Sequence, residues 1–410
     1  MDSTISSRRP AFAEFVILIA LIISLVALSI DAMLPALPQI AADLGVVEIN
    51  DSQYVISIFF AGMALGQMFF GPMSDSLGRR PAILAGFAVF ALGCLLSIAA
   101  ASFEQMLIGR FLQGLGAAGP RIVSVALVRD QFKGREMARV MSFVMSVFIL
   151  VPVFAPAIGQ LILSVADWHF IFAMLLVLAL TLVIWFWKRQ PETLAQQNRI
   201  RFSFVGLLLD IQAISRIRTA LGYTLTMGFV FGAFIGYLSS SQLIFQVQYQ
   251  LFELFPLYFG ILACSIGCAS LLNARLVMRF GMRALSRFAL NAIAFLSAVF
   301  FLYALAHDGH PPLNLLMAYL LLLFFFFGIL FGNLNALAME PLGHIAGLGS
   351  ALIGSVSTLM SVVFGVMIAD AYDQTVLPLV AGFALLGLAA VLAMRWTESK
   401  LAAESQESSD

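Results

Sequence analysis

Charge is scarce in this chain. Asp, Glu, Lys and Arg make up 11% of it, and the two signs cancel at 22 residues each. A nucleic-acid partner needs excess positive charge, and there is neither an excess nor a basic tract, which excludes that partner. Cysteine and histidine are nearly missing too. Cys94, Cys264 and Cys268 all fall within apolar runs with no histidine or acid beside them, where they read as apolar filler. His169, His307, His310 and His344 show no metal-ligand spacing, so no metal site is expected. There is no Walker loop or other phosphate cradle, so no nucleotide binds and ATP does not power the protein directly. Neither a clustered nucleophile nor an acid/base pair stands out, which argues against an enzyme and gives no reason to expect a cofactor.

What remains is apolar. Hydrophobic residues make up 61% of the chain and mean hydropathy is +1.00. Apolar runs of about 20 residues, each long enough to cross about 30 Å of hydrocarbon as a helix, recur along nearly the whole length. They fall roughly at 12–34, 51–72, 82–101, 105–128, 138–164, 168–187, 219–243, 254–273, 285–305, 314–338, 347–368 and 376–395. The first is too long for a signal peptide and lacks a small-residue cleavage site. The reading is an all-α membrane protein with twelve transmembrane helices and the lipid bilayer as its solvent.

The charges that do occur sort by loop. Arg8 and Arg9, Arg79 and Arg80, the group Arg129, Lys133, Arg135 and Arg139, the stretch from Lys188 to Arg218, the group Arg275, Arg279, Arg283 and Arg287, and Arg395 with Lys400 occupy alternate loops. The opposite loops hold Asp43, Glu48, Asp51, Glu104, Asp167, Glu253, Asp308, Asp370 and Asp373 with no Lys or Arg. The positive-inside rule then puts both termini in the cytoplasm. A polar, basic stretch divides the chain into residues 1–190, a cytoplasmic linker 191–217 and residues 218–410, with six spans on either side. Within the linker, Phe202 to Ile214 is amphipathic enough to lie on the inner membrane surface. G-R-R at Gly78 to Arg80 is echoed by R-F-G-M-R at Arg279 to Arg283, a weak sign of duplication. Two six-helix bundles around a central cavity is a transporter layout.

The one strongly polar break between the second and third runs is G-P-M-S-D-S-L-G-R-R-P, Gly71 to Pro81. Gly71, Pro72, Gly78 and Pro81 favour a tight turn, and Asp75, Arg79 and Arg80 require a membrane surface. This segment resembles the signature loop of the major facilitator superfamily, which joins spans two and three on the cytoplasmic side. I-G-R-F-L-Q-G-L-G-A-A (Ile108 to Ala118) is similar to the superfamily's Arg-Gln-Gly motif of span four. S-I-D-A-M-L-P-A-L-P (Ser29 to Pro38), V-R-D (Val128 to Asp130), P-V-F-A-P-A-I-G (Pro152 to Gly159), D-W-H-F-I-F (Asp167 to Phe172) and A-M-E-P-L-G-H-I-A-G (Ala338 to Gly347) complete the set. Together they look like the bicyclomycin-resistance (Bcr/CflA) branch of drug/proton antiporters. The antiporter motif usually reads Gly-Pro with a later Gly-Gly, whereas this chain has Ala155-Pro156 and Gly159-Gln160.

The resemblance implies a monomeric secondary transporter of the bacterial inner membrane. It would export small, drug-like molecules in exchange for protons by alternating access, as in multidrug or bicyclomycin/chloramphenicol-type efflux. A proton-coupled metabolite importer or exporter on the same fold is the alternative, with a membrane receptor or enzyme as the reading from another class. By the same resemblance Asp75 would face a helix N-terminus in the other half, and the arginines would pair with an acid such as Asp130. Gly71, Asp75, Gly78, Arg79, Arg80 and Asp130 would then form a cytoplasmic gate. A purely topogenic positive loop is the other reading of this segment. Pro152, Pro156 and Gly159 read as a kinked hinge in span five.

Two charges lie inside the apolar runs at similar depth. Asp31 sits in the outer third of span one, and Arg110 lies about one and a half turns into span four. Their adjacency is borrowed from the family fold, and a direct or water-bridged pair is then possible. Asp31 reads as the proton carrier and Arg110 as the cation that tunes it, since a nearby cation favours the ionised carboxylate and desolvation the neutral one. A merely hydrated Asp31 and an Arg110 that braces backbone carbonyls is the competing reading. Arg110, Gln113, Gly114, Ala117, Arg121 and Ser124 fall on one helix face, as do Ala20, Ser24, Ala27 and Asp31, and both faces read as water-accessible. Gln113, Arg121, Asn335 and Tyr237 are the candidates for the substrate cavity. Arg121 instead reaches the cytoplasmic surface if it snorkels. Asn335 is preferred to Asn333 because it shares a face with Gly328 and Gly332. One proton entering down 100 mV and one pH unit yields roughly 3.7 kcal/mol, enough for a several-hundredfold gradient of a neutral substrate.

Overall fold

A computed structural model describes residues 11–200, 212 and 216–407. Among them there is no strand, and twelve helices are long and apolar enough to cross a membrane. They are α1 (Phe12–Asp31), α2 (Tyr54–Leu77), α3 (Arg79–Ile98), α4 (Phe103–Gln131), α5 (Gly134–Leu163) and α6 (His169–Arg189) in the first half of the chain. The second half contributes α7 (Arg218–Gln242), α8 (Phe255–Phe280), α9 (Met282–Leu305), α10 (Leu313–Met339), α11 (Ala346–Asp370) and α12 (Leu377–Glu407). Every expected span coincides with one of these helices. Several helices, such as α4, α8 and α12, outrun the apolar runs, because hydrogen bonding continues past the last lipid-facing residue. The proposed amphipathic segment Phe202 to Ile214 lies outside the described residues apart from Gln212, as do Arg8, Arg9 and the His344 side chain.

The chain divides into two compact units, Met1–Phe204 and Val205–Asp410. Each repeats one packing scheme. In the first, α1 packs on α5, α2 and α3 on α4, and α3 on α6. In the second, α7 packs on α11, α8 and α9 on α10, and α9 on α12. The G-R-R echo marks equivalent places in this scheme. Gly78 alone separates α2 from α3, at φ 115° and ψ 162°, and Gly281 alone separates α8 from α9, at φ 78° and ψ 156°. Positive φ at such a one-residue break favours glycine.

One expectation about the polar segment is corrected. Gly71 and Pro72 do not turn the chain, since α2 runs helical through both to Leu77 and only Gly78 breaks it. Pro72 removes one backbone donor, and Ser74 Oγ donates to the Gly71 carbonyl at 2.8 Å. Pro81 sits in the first turn of α3, where a missing N–H costs nothing. Likewise α5 is one helix through Pro152 and Pro156.

Candidate functional site

The register of α4 is set at its start. Ser102 Oγ accepts from Gln105 N at 3.3 Å, and Gln105 Oε1 accepts from Ala101 N at 2.8 Å, a variant of the reciprocal cap. Glu104 in the first turn and Arg129 in the last complement the helix dipole. From that start Arg110 and Gln113 point into the middle of the first unit, and both are fully buried. Arg110 Nε donates to the Val55 carbonyl of α2 at 3.1 Å, and Nη1 to the Ser29 carbonyl of α1 at 3.1 Å. Nη1 also donates to Gln113 Oε1 at 2.6 Å, while Gln113 Nε2 donates to the Gly93 carbonyl at 3.2 Å and Ser97 Oγ at 2.9 Å on α3. The guanidinium lies 4.5 Å from the Phe59 ring centroid and 5.9 Å from that of Phe172. One charged side chain and one amide thus tie α4 to α1, α2 and α3, with contacts to α6 as well.

This overturns the expected water-accessible face on α4. Gln113, Ala117 and Ser124 are buried along with Arg110. The small residues serve helix contact instead. A Cβ on Gly114 would meet the Phe59 carbonyl at 1.9 Å, and one on Gly62 the Phe111 carbonyl at 2.1 Å. Gln113 is a strut between α3 and α4. Arg121 alone of this face keeps partial exposure. Its Nη1 donates to Met63 Sδ at 3.6 Å, and among the described residues no carboxylate pairs with it.

Asp31 is the last residue of α1 and only 4% exposed. Among the described residues no hydrogen bond or ion pair reaches its carboxylate, so Arg110 makes no direct bond to it. Arg110 holds the Ser29 backbone two residues away. The α1 face below it is buried as well, with Ser24 at 4% and Ala27 at 7% exposure. Just past Asp31 the helix gives way to a short 3-10 turn, Leu34–Ala36. There Ala32 is pressed onto α5, where a Cβ on Gly159 would stand 1.8 Å from the Ala32 carbonyl oxygen. The glycine of P-V-F-A-P-A-I-G is thus the seat for the residue that follows the acid.

At the other end of the unit the polar segment forms a closed network. Arg79, 6% exposed, donates through Nε to Asp130 Oδ2 at 2.8 Å, and through Nη1 to Asp75 and to Ser74 Oγ. Asp75 therefore pairs with an arginine of its own segment. Sequence reasoning missed Glu192. It lies beyond α6, yet Oε1 accepts from Arg79 N at 2.9 Å and Oε2 from Arg80 N at 3.0 Å, capping α3. Thr193 Oγ1 adds a bond to Asp130 Oδ2 at 3.1 Å, and Arg80 Nη2 donates to the Trp187 carbonyl at 2.6 Å. P-E-T after an apolar run was the available signal, since a carboxylate there can reach an uncapped helix start.

In the second unit Tyr237 is 1% exposed, with its ring centroid 4.6 Å from that of Phe324 and 5.9 Å from that of Phe259. It is packed and not open. Asn335 is exposed, and the buried amide is Asn333, which exchanges bonds with Asn273 at 2.9 and 3.1 Å. The neighbouring helix supplies the partner amide of Asn333. The described residues hold no group of three or more His, Cys, Asp or Glu that could bind a metal.

A family model for the Major Facilitator Superfamily matches residues 19–365. The chain belongs to that superfamily. It is a multi-pass transporter of the superfamily, similar to YdgK of Bacillus subtilis, an uncharacterized MFS-type transporter, at 32% identity over 81% of this chain and 83% of the relative. It is 31% identical to a bicyclomycin resistance protein homolog of Haemophilus influenzae over 94% and 96% of the two chains. The multidrug resistance protein MdtL of Salmonella newport is 35% identical over 42% of this chain and 45% of its own. In fold it resembles the human organic anion transporter MFSD10, with TM-score 0.71 and 20% identity over 95% and 100% of the chains. The xylose transporter XylE of E. coli gives TM-score 0.68 and 15% identity over 94% and 99%.

Proposed function

We propose that this superfamily transporter is a proton-coupled exporter of small, drug-like molecules in the bacterial inner membrane, with both termini cytoplasmic and Asp31 as the proton carrier. The observation that carries the reading is Asp31 itself, an acid 4% exposed and without a partner among the described residues, at a break between helices. An ionised carboxylate in a largely buried place is costly, so the group exchanges a proton when its access to water changes. Gly159 seats the turn beside it, so movement of α5 is felt at the acid. Arg110 then acts as a positioning residue that holds Ser29, and its role is closer to the brace than to the charge partner. Asp75, Arg79 and Asp130, with Glu192 added, latch the cytoplasmic end of the first unit. Residues 1–190 and 218–410 act as the two moving halves, joined by 191–217, in a monomer. Names of relatives that mention bicyclomycin and multidrug resistance support drug-like cargo.

The test is dye efflux from pump-deficient cells with and without an uncoupler, using wild type and Asp31→Asn. Wild-type efflux should collapse with the uncoupler, and the variant should reach the membrane without active efflux. Uncoupler-insensitive efflux sinks proton coupling, and normal efflux by the variant sinks the carrier role. A second reading, transport of an anionic metabolite, is favoured by Arg121, whose cation has no carboxylate partner among the described residues. Under that reading Arg121→Gln abolishes uptake or export of the anion while dye efflux persists.

A further inference from the structure

Polar residues collect at one end of α7 in the second unit. Ser239, Ser240, Ser241 and Gln242 close the helix, and the chain then widens into a π-helix, Leu243–Gln248, that carries Gln246. Gln242 is 2% exposed and Gln246 3%. π-turns are rare and gather at functional sites. Ser240 Oγ donates to the Gly236 carbonyl at 2.7 Å and Ser241 Oγ to the Leu238 carbonyl at 3.1 Å, so these hydroxyls are spent within the helix. The glutamines differ. Gln242 Nε2 donates to Gln246 Oε1 at 3.0 Å, and among the described residues neither amide makes another bond.

The Gln242 carbonyl oxygen and the Gln246 NH2 group are therefore left over. Unlike Ser24 Oγ or the Gln53 amide, which are sealed without a partner, these two atoms are not closed off. The result does not depend on how the amides are oriented. Exchanging O and N in both groups restores the same bond in reverse and again leaves one acceptor and one NH2. No Asp, Glu, Lys, Arg or His lies between Arg218 and Glu253, so this stretch of chain supplies no charge to the leftover pair.

We propose that Gln242 and Gln246 form a recognition site for a neutral group that presents a donor beside an acceptor, such as a carboxamide, lactam or urea edge. The inference rests on the transporter reading and names the chemistry of its substrate. The two amides hold each other in place, so the leftover atoms are pre-organised. A ligand lacking the complementary pair leaves them unpaired, which is how polar sites discriminate.

The experiment compares a dansyl-tagged primary carboxamide with the methyl ester of the same scaffold, by fluorescence binding to the purified full chain. Wild type should bind the carboxamide at least tenfold more tightly. Gln242→Met and Gln246→Met should bring the ratio to about one, and the ester affinity should change less than twofold. Poor folding lowers both signals together and leaves the ratio intact. Equal wild-type affinities, no binding of either probe, or an unchanged ratio in the variants overturns the proposal. Uncoupler-sensitive ester efflux without any carboxamide preference would refute this site and leave the exporter reading standing. Carboxamide-selective binding without proton-dependent export would do the reverse.

Discussion

Replacing Gly159 with alanine adds one methyl group to α5 and sets two effects against each other. Alanine gains about 1 kcal/mol over glycine in a helix interior. Against this, the new Cβ would lie 1.8 Å from the Ala32 carbonyl oxygen, which is backbone and cannot rotate away. Ordinary contact requires α5 and the turn after Asp31 to part by roughly 1.5–2 Å. Overpacking costs about 1–3 kcal/mol, and a backbone contact this short belongs at the upper end. The clash wins, for a net loss of about 1–2 kcal/mol. At about 2.1 cal/mol/K of unfolding entropy per residue, a chain of 410 residues shifts by about 1 °C per kcal/mol, so the melting temperature of the purified protein should fall by about 1–2 °C. Uncoupler-sensitive efflux should fall with it, because the turn that moves adjoins the acid. Gly332→Ala is the control, since nothing lies within 4 Å of its added Cβ and only the helix gain remains. If Gly159→Ala melts at or above Gly332→Ala, α5 does not sit on Ala32 and the reasoning fails.

Arg110→Lys keeps the charge but loses the planar fork that reaches Val55, Ser29 and Gln113, so it should destabilise by about 2–4 kcal/mol in thermal unfolding; wild-type stability would refute the strut. Gly78→Ala forces a side chain to φ 115° and sets its Cβ 2.5 Å from Glu192 Oε2. It should lower efflux and raise proteolytic cleavage after residue 190, and an unchanged digestion pattern would sink the latch. Asn273→Leu or Asn333→Leu alone strands a buried amide and should cost about 1–3 kcal/mol. The double variant should recover much of that loss, and strictly additive effects in a double-mutant cycle would show that the pair does not interact.

Twelve spans were legible because hydrocarbon demands about 20 apolar residues in a row, whatever packs beside them. The turn at Gly71–Pro72 was misjudged for a related reason. Helix breakers act on local hydrogen bonds, and one missing donor at Pro72 does not outweigh a helix held on both sides. The α4 face was read as wet because small and polar residues line it. Periodicity finds such a face but cannot say whether water or another helix meets it. In this chain Phe59, Met63 and Ser97 meet it. Asn335 was preferred to Asn333 for the same lack of a visible partner.

Composition, span length and the segregation of Lys and Arg determined by themselves that this is a twelve-span membrane protein of two six-helix halves, since each is a demand of the bilayer on a stretch of chain. Motif order added the superfamily. Only tertiary structure decided that Arg110 grips backbone carbonyls while Asp31 has no partner among the described residues, that Gly159 seats the turn beside it, and that Glu192 reaches back to cap α3. Those facts depend on which groups meet across 55 to 127 residues of chain, from Arg110 and Val55 to Gly159 and Ala32, and the spacing of residues along one helix does not encode that.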